Sequence, residues 1–71
     1  MVTVYTTDKC VQCNATKRKM YTLGVEFQEV AITDDLREKF KAEGFMSAPI
    51  VEAGEERWAG FNPDRIEALA K

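Results

Sequence analysis

Hydrophobic positions along the chain switch between the two-residue spacing of strands and the three- to four-residue spacing of helices. Val2–Thr6 is β-branched and aromatic with period-two alternation, which predicts a first strand. From Val11 the spacing becomes helical, and Gly24 is expected to end this first helix. The face of the helix that we expect to be buried contains Cys13, Thr16, Met20 and Leu23.

The middle of the chain repeats this alternation. Val25–Val30 predicts a second strand. Asp34 or Asp35 is expected to open a second helix, Asp35 and Glu38 form a capping-box-like pair, and Gly44 is expected to end the helix. The predicted buried stripe of this helix consists of Leu36 and Phe40.

The last third of the chain predicts a hairpin and a final helix. Ile50–Glu52 and Glu56–Ala59 are predicted strands, joined by a turn at residues 53–55. Asn62 suits the N-cap of the last helix and Pro63 its first position. The apolar side of this helix, expected to face the sheet, carries Ile66 and Leu69.

The resulting order, β-α-β-α-β-β-α, predicts an α/β fold in which a four-stranded mixed sheet is flanked by three helices. With 71 residues, the chain is expected to form a single domain spanning residues 1–71. The net charge of −2 is spread over both signs, so we expect no binding to nucleic acid. No apolar run is long enough to cross a membrane and no signal peptide is visible, so we expect a cytoplasmic protein. We also expect it to be a monomer.

Candidate chemistry is concentrated in Cys10-Val11-Gln12-Cys13, which follows a predicted strand and opens a predicted helix. The positive end of the helix dipole and the neighbouring Lys9 favour a thiolate at Cys10, which is therefore the predicted nucleophile. Cys13, one turn further in, is the predicted resolving thiol. A Cys-x-x-Cys at such a junction predicts a dithiol–disulfide oxidoreductase.

Two other uses of the cysteine pair stay open from the residues alone. A structural disulfide would close a very short loop, which stabilises by only about 2 kcal/mol, and it is unusual in a reducing compartment. A structural zinc ion needs four ligands, and the chain has two cysteines and no histidine. A zinc-bridged binding module would therefore need a symmetric dimer or carboxylate ligands, and zinc analysis of anaerobically purified protein would detect it.

With its motifs in these positions, the chain resembles the thioredoxin-fold superfamily, and within it the glutaredoxin-like NrdH-redoxins. Nearly the whole chain takes part, and Cys-Val-Gln-Cys combined with the late Trp-Ala-Gly-Phe-Asn-Pro-Asp is the most specific feature. The sequence departs from the family at Ala59, where serine is usual, and at Asn62, where a basic residue is common. The stretches that carry the resemblance are residues 4–13, 15–18, 48–51 and 58–64.

The resemblance implies a function and its partners. Such proteins take electrons from NADPH through the flavoenzyme thioredoxin reductase and deliver them to the disulfide of the ribonucleotide reductase large subunit, usually of class Ib. The resemblance implies no bound cofactor and no metal, since NADPH and FAD reside on the partner reductase.

The resemblance also implies roles for individual residues. Cys10 and Cys13 form the redox-active disulfide, and Pro49 is the cis-proline that faces it. Trp58 suits a core position and a surface contact equally well. The residues expected to contact partners are Lys9, Val11, Gln12, Ala48, Pro49, Trp58, Gly60 and Phe61.

A glutathione-dependent glutaredoxin is the alternative within the same fold. Typical glutaredoxins have Pro-Tyr between the cysteines and a Gly-Gly pair before the last helix, where this chain has Val11-Gln12 and Gly60-Phe61. Phe61 in place of a glycine is expected to crowd the backbone groups that would hold glutathione. We therefore expect efficient reduction by thioredoxin reductase and poor reduction by glutathione.

Overall fold

The computed structural model describes residues 2–70 and confirms the predicted order of elements. Within this range, no helix has the length and apolar character needed to cross a membrane. The elements are β1 (Val2–Thr6), α1 (Val11–Leu23), β2 (Phe27–Ala31), α2 (Asp34–Ala42), β3 (Ile50–Ala53), β4 (Glu56–Ala59) and α3 (Pro63–Leu69).

The four strands form one mixed sheet in the order β2-β1-β3-β4. β1 and β2 are parallel, as a βαβ crossover requires, while the β1–β3 and β3–β4 pairs are antiparallel. Val4 on β1 pairs with Val51 on β3, which pairs with Trp58 on β4. These three side chains form the buried core together with Met20 from α1 and Ile66 from α3.

The second strand begins two residues later than predicted, at Phe27 rather than Val25. Gly24 follows α1 with a left-handed φ of 74°, and the Val25 N–H donates to the Met20 carbonyl at 2.9 Å. This arrangement provides hydrogen-bond donors for the last carbonyls of α1. Residue 25 therefore belongs to the end of the helix and not to β2. β2 then extends to Ala31, which still pairs with the end of β1.

The second helix is capped by a residue that the sequence pattern did not single out. Thr33 is the N-cap, and its hydroxyl accepts a hydrogen bond from the Leu36 N–H at 3.3 Å. The predicted capping pair of Asp35 and Glu38 is therefore wrong. Asp34 and Asp35 instead lie in the first turn, where their negative charge is favourable near the positive end of the helix dipole.

Two further boundaries differ slightly from prediction. α2 ends at Ala42, and Gly44 lies beyond it with a left-handed φ of 91°, the position that glycine commonly takes after a helix. β3 extends to Ala53, which pairs with Glu56 and leaves residues 54–55 as a two-residue hairpin turn.

Candidate active site

One edge of the sheet brings together three segments that are far apart in sequence. Tyr5 near the end of β1 pairs with Ile50 at the start of β3, and Ile50 pairs with Ala59 at the end of β4. The chain segments adjoining these paired residues therefore emerge at the same edge. They are residues 7–10, residues 47–49 and residues 60–62.

The cysteine pair lies where the first of these segments enters α1. Cys10 is the N-cap of the helix, Cys13 lies in its first turn, and the two are joined as a disulfide with their Cα atoms 5.2 Å apart. The Cys13 N–H donates to Cys10 Sγ at 3.1 Å. Cys10 is partly exposed whereas Cys13 is 1% exposed, so Cys10 is the sulfur that a partner can reach.

The helix start gives the two sulfurs different chemistry after reduction. An N–H aimed at sulfur and the positive end of the helix dipole both favour a thiolate at Cys10. Lys9, which adopts a left-handed φ of 56°, is exposed beside it. Within residues 2–70, no three Cys, Asp or Glu side chains are grouped so that they could hold a metal ion.

The proline segment precedes β3 and contains the bond for which the family resemblance implied a cis conformation. The Ala48–Pro49 peptide bond is cis, which confirms that expectation. Pro49 is buried and Ala48 is partly exposed. The Pro49 carbonyl accepts a hydrogen bond from the Gly60 N–H at 2.7 Å, so the proline segment is tied to the turn after β4.

The turn after β4 is also tied directly to the redox motif. Gln12 Oε1 accepts a hydrogen bond from the Phe61 N–H at 3.2 Å. Gly60 has a φ of 84°, and a Cβ added there would lie 3.3 Å from the same Gln12 oxygen. Glycine therefore suits position 60 for its backbone conformation, and a Cβ there would also require the Gln12 side chain to shift by a few tenths of an ångström.

Trp58 has a different place from the other residues predicted to contact partners. Its side chain is only 6% exposed and packs in the core, with the Arg65 guanidinium 5.5 Å from the ring centroid. Of the two positions considered for Trp58, the structure therefore shows the core position. Phe61, at 40% exposure, is the aromatic residue of this segment that reaches the surface.

Exposed apolar residues lie in the redox motif and just before the proline segment. Val11, between the cysteines, is 81% exposed. Met46, in the segment that leads to Ala48, is 78% exposed and was missed by the sequence prediction. The available signal was an apolar residue outside every predicted element, close to the proline that the family resemblance placed at the site.

The sequence prediction also missed a polar groove that Cys10 helps to line. Glu29 on β2 accepts hydrogen bonds from the buried Thr6 hydroxyl at 3.0 Å and from Lys17 Nζ at 2.9 Å. These bonds lower the pKa of the Glu29 carboxyl, the bond from Lys17 having the larger effect. Thr6, Lys17 and Glu29 line a groove that also contains Cys10. Thr6 and Glu29 become neighbours only through the parallel pairing of β1 with β2.

The lowered pKa of Glu29 predicts a contribution to stability that depends on pH. Since the folded-state pKa lies below the usual value of 4.5, the contribution is present above that pH and is lost as the pH falls below it. Glu29→Gln should therefore flatten the acid side of the stability profile, measured by urea unfolding between about pH 3 and 7. The effect should be modest because the Glu29 side chain is 44% exposed. Glu26→Gln, at an exposed site just before β2, is the control and should leave the profile unchanged.

Comparison with known proteins places these features in a family. A sequence profile of the glutaredoxin family matches residues 2–58. The chain is 44% identical over 70 residues to the glutaredoxin-like protein NrdH of Salmonella typhimurium, covering 96% of this chain and 86% of that protein. The chain belongs to the glutaredoxin family, in its NrdH-redoxin branch.

Further relatives agree with this assignment. The solved structure of NrdH-redoxin from Escherichia coli superposes with a TM-score of 0.90 at 41% identity, covering 96% of this chain and 92% of that one. NrdH of Lactococcus lactis is 32% identical over 72 residues, covering 99% of this chain and all of that protein. The thioredoxin-type fold is confirmed, and the protein is a thiol–disulfide oxidoreductase whose CxxC pair is Cys10 and Cys13.

Proposed function

We propose that the protein carries electrons from NADPH, by way of thioredoxin reductase, to the disulfide of a ribonucleotide reductase of class Ib. The observation that carries this proposal is the disulfide between a partly exposed Cys10 at a helix start and a buried Cys13. The NrdH-redoxin family supports the choice of partners. We further propose that the protein works as a cytoplasmic monomer without a bound cofactor, with NADPH and FAD held by the reductase.

In the exchange reaction each of the two sulfurs acts once as the nucleophile. In the reduced protein, the Cys10 thiolate attacks one sulfur of the partner disulfide, which forms a mixed disulfide and releases the first partner thiol. The Cys13 thiolate then attacks Cys10 Sγ, which closes the Cys10–Cys13 disulfide and releases the second partner thiol. Two electrons and two protons pass to the partner, and thioredoxin reductase restores the dithiol.

Two features support thioredoxin reductase rather than glutathione as the electron source. The solved Escherichia coli relative is described as glutaredoxin-like with a thioredoxin-like activity profile. In the present chain, Phe61 presents a large side chain at the turn beside the dithiol, and α3 begins with Pro63, which has no N–H to offer a carboxylate.

The surface around the dithiol supports a protein as the partner. Apolar side chains are exposed in or next to the three segments that meet at this edge of the sheet. Val11 follows the first segment, Met46 precedes the second and Phe61 lies in the third. Exposed apolar and aromatic side chains of this kind are typical of the centre of protein–protein interfaces. A docked partner would bury them while its disulfide approaches Cys10.

A coupled assay of NADPH oxidation tests the proposed electron source. With thioredoxin reductase and a disulfide substrate, turnover should exceed that with glutathione and glutathione reductase by more than about tenfold, which corresponds to about 1.4 kcal/mol of discrimination. A glutaredoxin assayed with both systems is the control for each reductase. Equal turnover with the two systems would contradict the proposal in favour of a glutathione-dependent glutaredoxin, and bound zinc after anaerobic purification would favour a zinc-bridged module.

A further inference from the structure

The backbone N–H groups at the turn after β4 are largely occupied from within the chain. The Gly60 N–H donates to the Pro49 carbonyl at 2.7 Å. The Phe61 N–H donates to Gln12 Oε1 at 3.2 Å, and the Arg65 N–H donates to Asn62 Oδ1 at 3.3 Å. Gln12 therefore supplies the one bond among these that joins the turn to the redox motif by a side chain.

This bond affects which thiols can dock at the disulfide. A small thiol that carries a carboxylate needs N–H donors or cations close to Cys10 in order to bind before it reacts. The Phe61 N–H lies beside the dithiol, because its partner Gln12 is located between the two cysteines. While Gln12 Oε1 accepts that N–H, its partial negative charge occupies the position that a carboxylate oxygen would take.

The contact at Gly60 shows how closely Gln12 covers the turn. A Cβ added at Gly60 would meet Gln12 Oε1 at 3.3 Å, so the amide oxygen lies directly against the backbone of residues 60–61. A carboxylate could reach the Phe61 N–H only after displacing this oxygen. The cover is a single side chain at the surface, so it can be removed without altering a core residue.

We propose that Gln12 is a specificity-determining residue that excludes carboxylate-bearing small thiols, such as glutathione, by occupying the Phe61 N–H. The proposal rests on the function proposed above and assigns part of its partner selection to one side chain. The reaction that Gln12 suppresses is the reduction of the Cys10–Cys13 disulfide by two glutathione thiols, which yields the dithiol and glutathione disulfide. Gln12 acts by position and takes no part in the exchange itself.

Removing the Gln12 amide tests the proposal. The kinetic comparison is designed to show the effect of the glutathione carboxylates alone. The rate of disulfide reduction is measured with glutathione and with its dimethyl ester, whose carboxylates are masked. Gln12→Ala should raise the ratio of these two rates about tenfold, the factor expected for one additional hydrogen bond to a charged group. Gln12→Glu keeps an acceptor and adds a negative charge, so its ratio should stay at or below that of the unmodified protein.

The other glutamine of the chain provides a matched control. Gln28 is exposed on β2, and Gln28→Ala should leave the ratio unchanged. An equal acceleration of both thiols by Gln12→Ala would mean that the substitution merely loosens the disulfide, and it would overturn the proposal. An unchanged ratio would overturn it as well.

Amide exchange at Phe61 provides a second readout that does not depend on redox chemistry. The Phe61 amide proton should exchange slowly in the unmodified protein and in Gln12→Glu, and faster in Gln12→Ala. S-methylglutathione, which cannot react, should shift the Phe61 amide resonance in Gln12→Ala alone.

The experiments distinguish failure of the proposed function from failure of the role of Gln12. If the unmodified protein is reduced by glutathione as fast as by thioredoxin reductase, the proposed function fails. If glutathione reduces the unmodified protein slowly and Gln12→Ala behaves in the same way, only the role of Gln12 fails.

Discussion

Cys10→Ser is expected to abolish disulfide reduction, whereas Cys13→Ser is expected to retain its partner as a stable mixed disulfide. Cys10 is partly exposed at the helix start, so its thiolate makes the first attack. Cys13 is 1% exposed and resolves the intermediate from within the protein. Without Cys10 no mixed disulfide forms, and without Cys13 the mixed disulfide cannot be resolved by the chain.

The measurement combines turnover with capture. Turnover should fall by more than about a hundredfold in Cys10→Ser because a serine hydroxyl cannot replace a thiolate nucleophile near neutral pH. Non-reducing electrophoresis and mass spectrometry should show the captured partner with Cys13→Ser, and none with the double variant that lacks both sulfurs. Limited alkylation of the reduced protein should label Cys10 first. Stable capture by Cys10→Ser, or preferential labelling of Cys13, would contradict the assignment of roles.

The features predicted well from the sequence depend on neighbouring residues. Gly24 and Gly44 follow their helices because glycine tolerates a positive φ, and a local pattern is enough to recognise this. Asn62 caps α3 as predicted, since its side chain needs only the N–H of a residue one turn further on. The position of the Cys-x-x-Cys at a helix start follows from the same kind of local pattern.

The features missed depend on contacts between distant segments. The bond from Phe61 to Gln12 joins positions 49 apart in the chain, and the bond from Thr6 to Glu29 joins positions 23 apart. Neither bond can be derived before the strand register is known. Trp58 was undecided for a related reason, since a single aromatic residue on a short strand suits either face until the pairing with Val51 places it in the core.

Ile66→Ala is expected to produce the largest loss of stability. Ile66 is fully buried, and α3 has only seven residues, too few for a helix to be stable without packing. Removing a buried side chain of this size costs about 2–5 kcal/mol in the free energy of unfolding. A domain of this length holds only roughly 4–11 kcal/mol in total, so a substantial part of the stability depends on this one residue.

The same substitution should affect the active site, because α3 begins directly after the turn that Gln12 holds. As α3 detaches, the Phe61 N–H should become free to exchange and the position of the exposed Phe61 side chain should no longer be fixed. Urea unfolding of the oxidised protein, followed by the fluorescence of the buried Trp58, measures the loss. Ile66→Val removes less volume and should cost about 0.5–1.5 kcal/mol.

Val11→Ala is the surface control for this series. Val11 is 81% exposed, so its truncation should change the free energy of unfolding by less than about 0.5 kcal/mol. It should weaken coupling to the reductase, because Val11 is expected to contact that partner. The effect on stability and the effect on coupling can therefore be measured separately. A cost below about 1 kcal/mol for Ile66→Ala would contradict the packing argument. The turn at residues 60–62 would then have to be held mainly by its hydrogen bonds to Pro49 and Gln12 rather than by the attachment of α3 to the core.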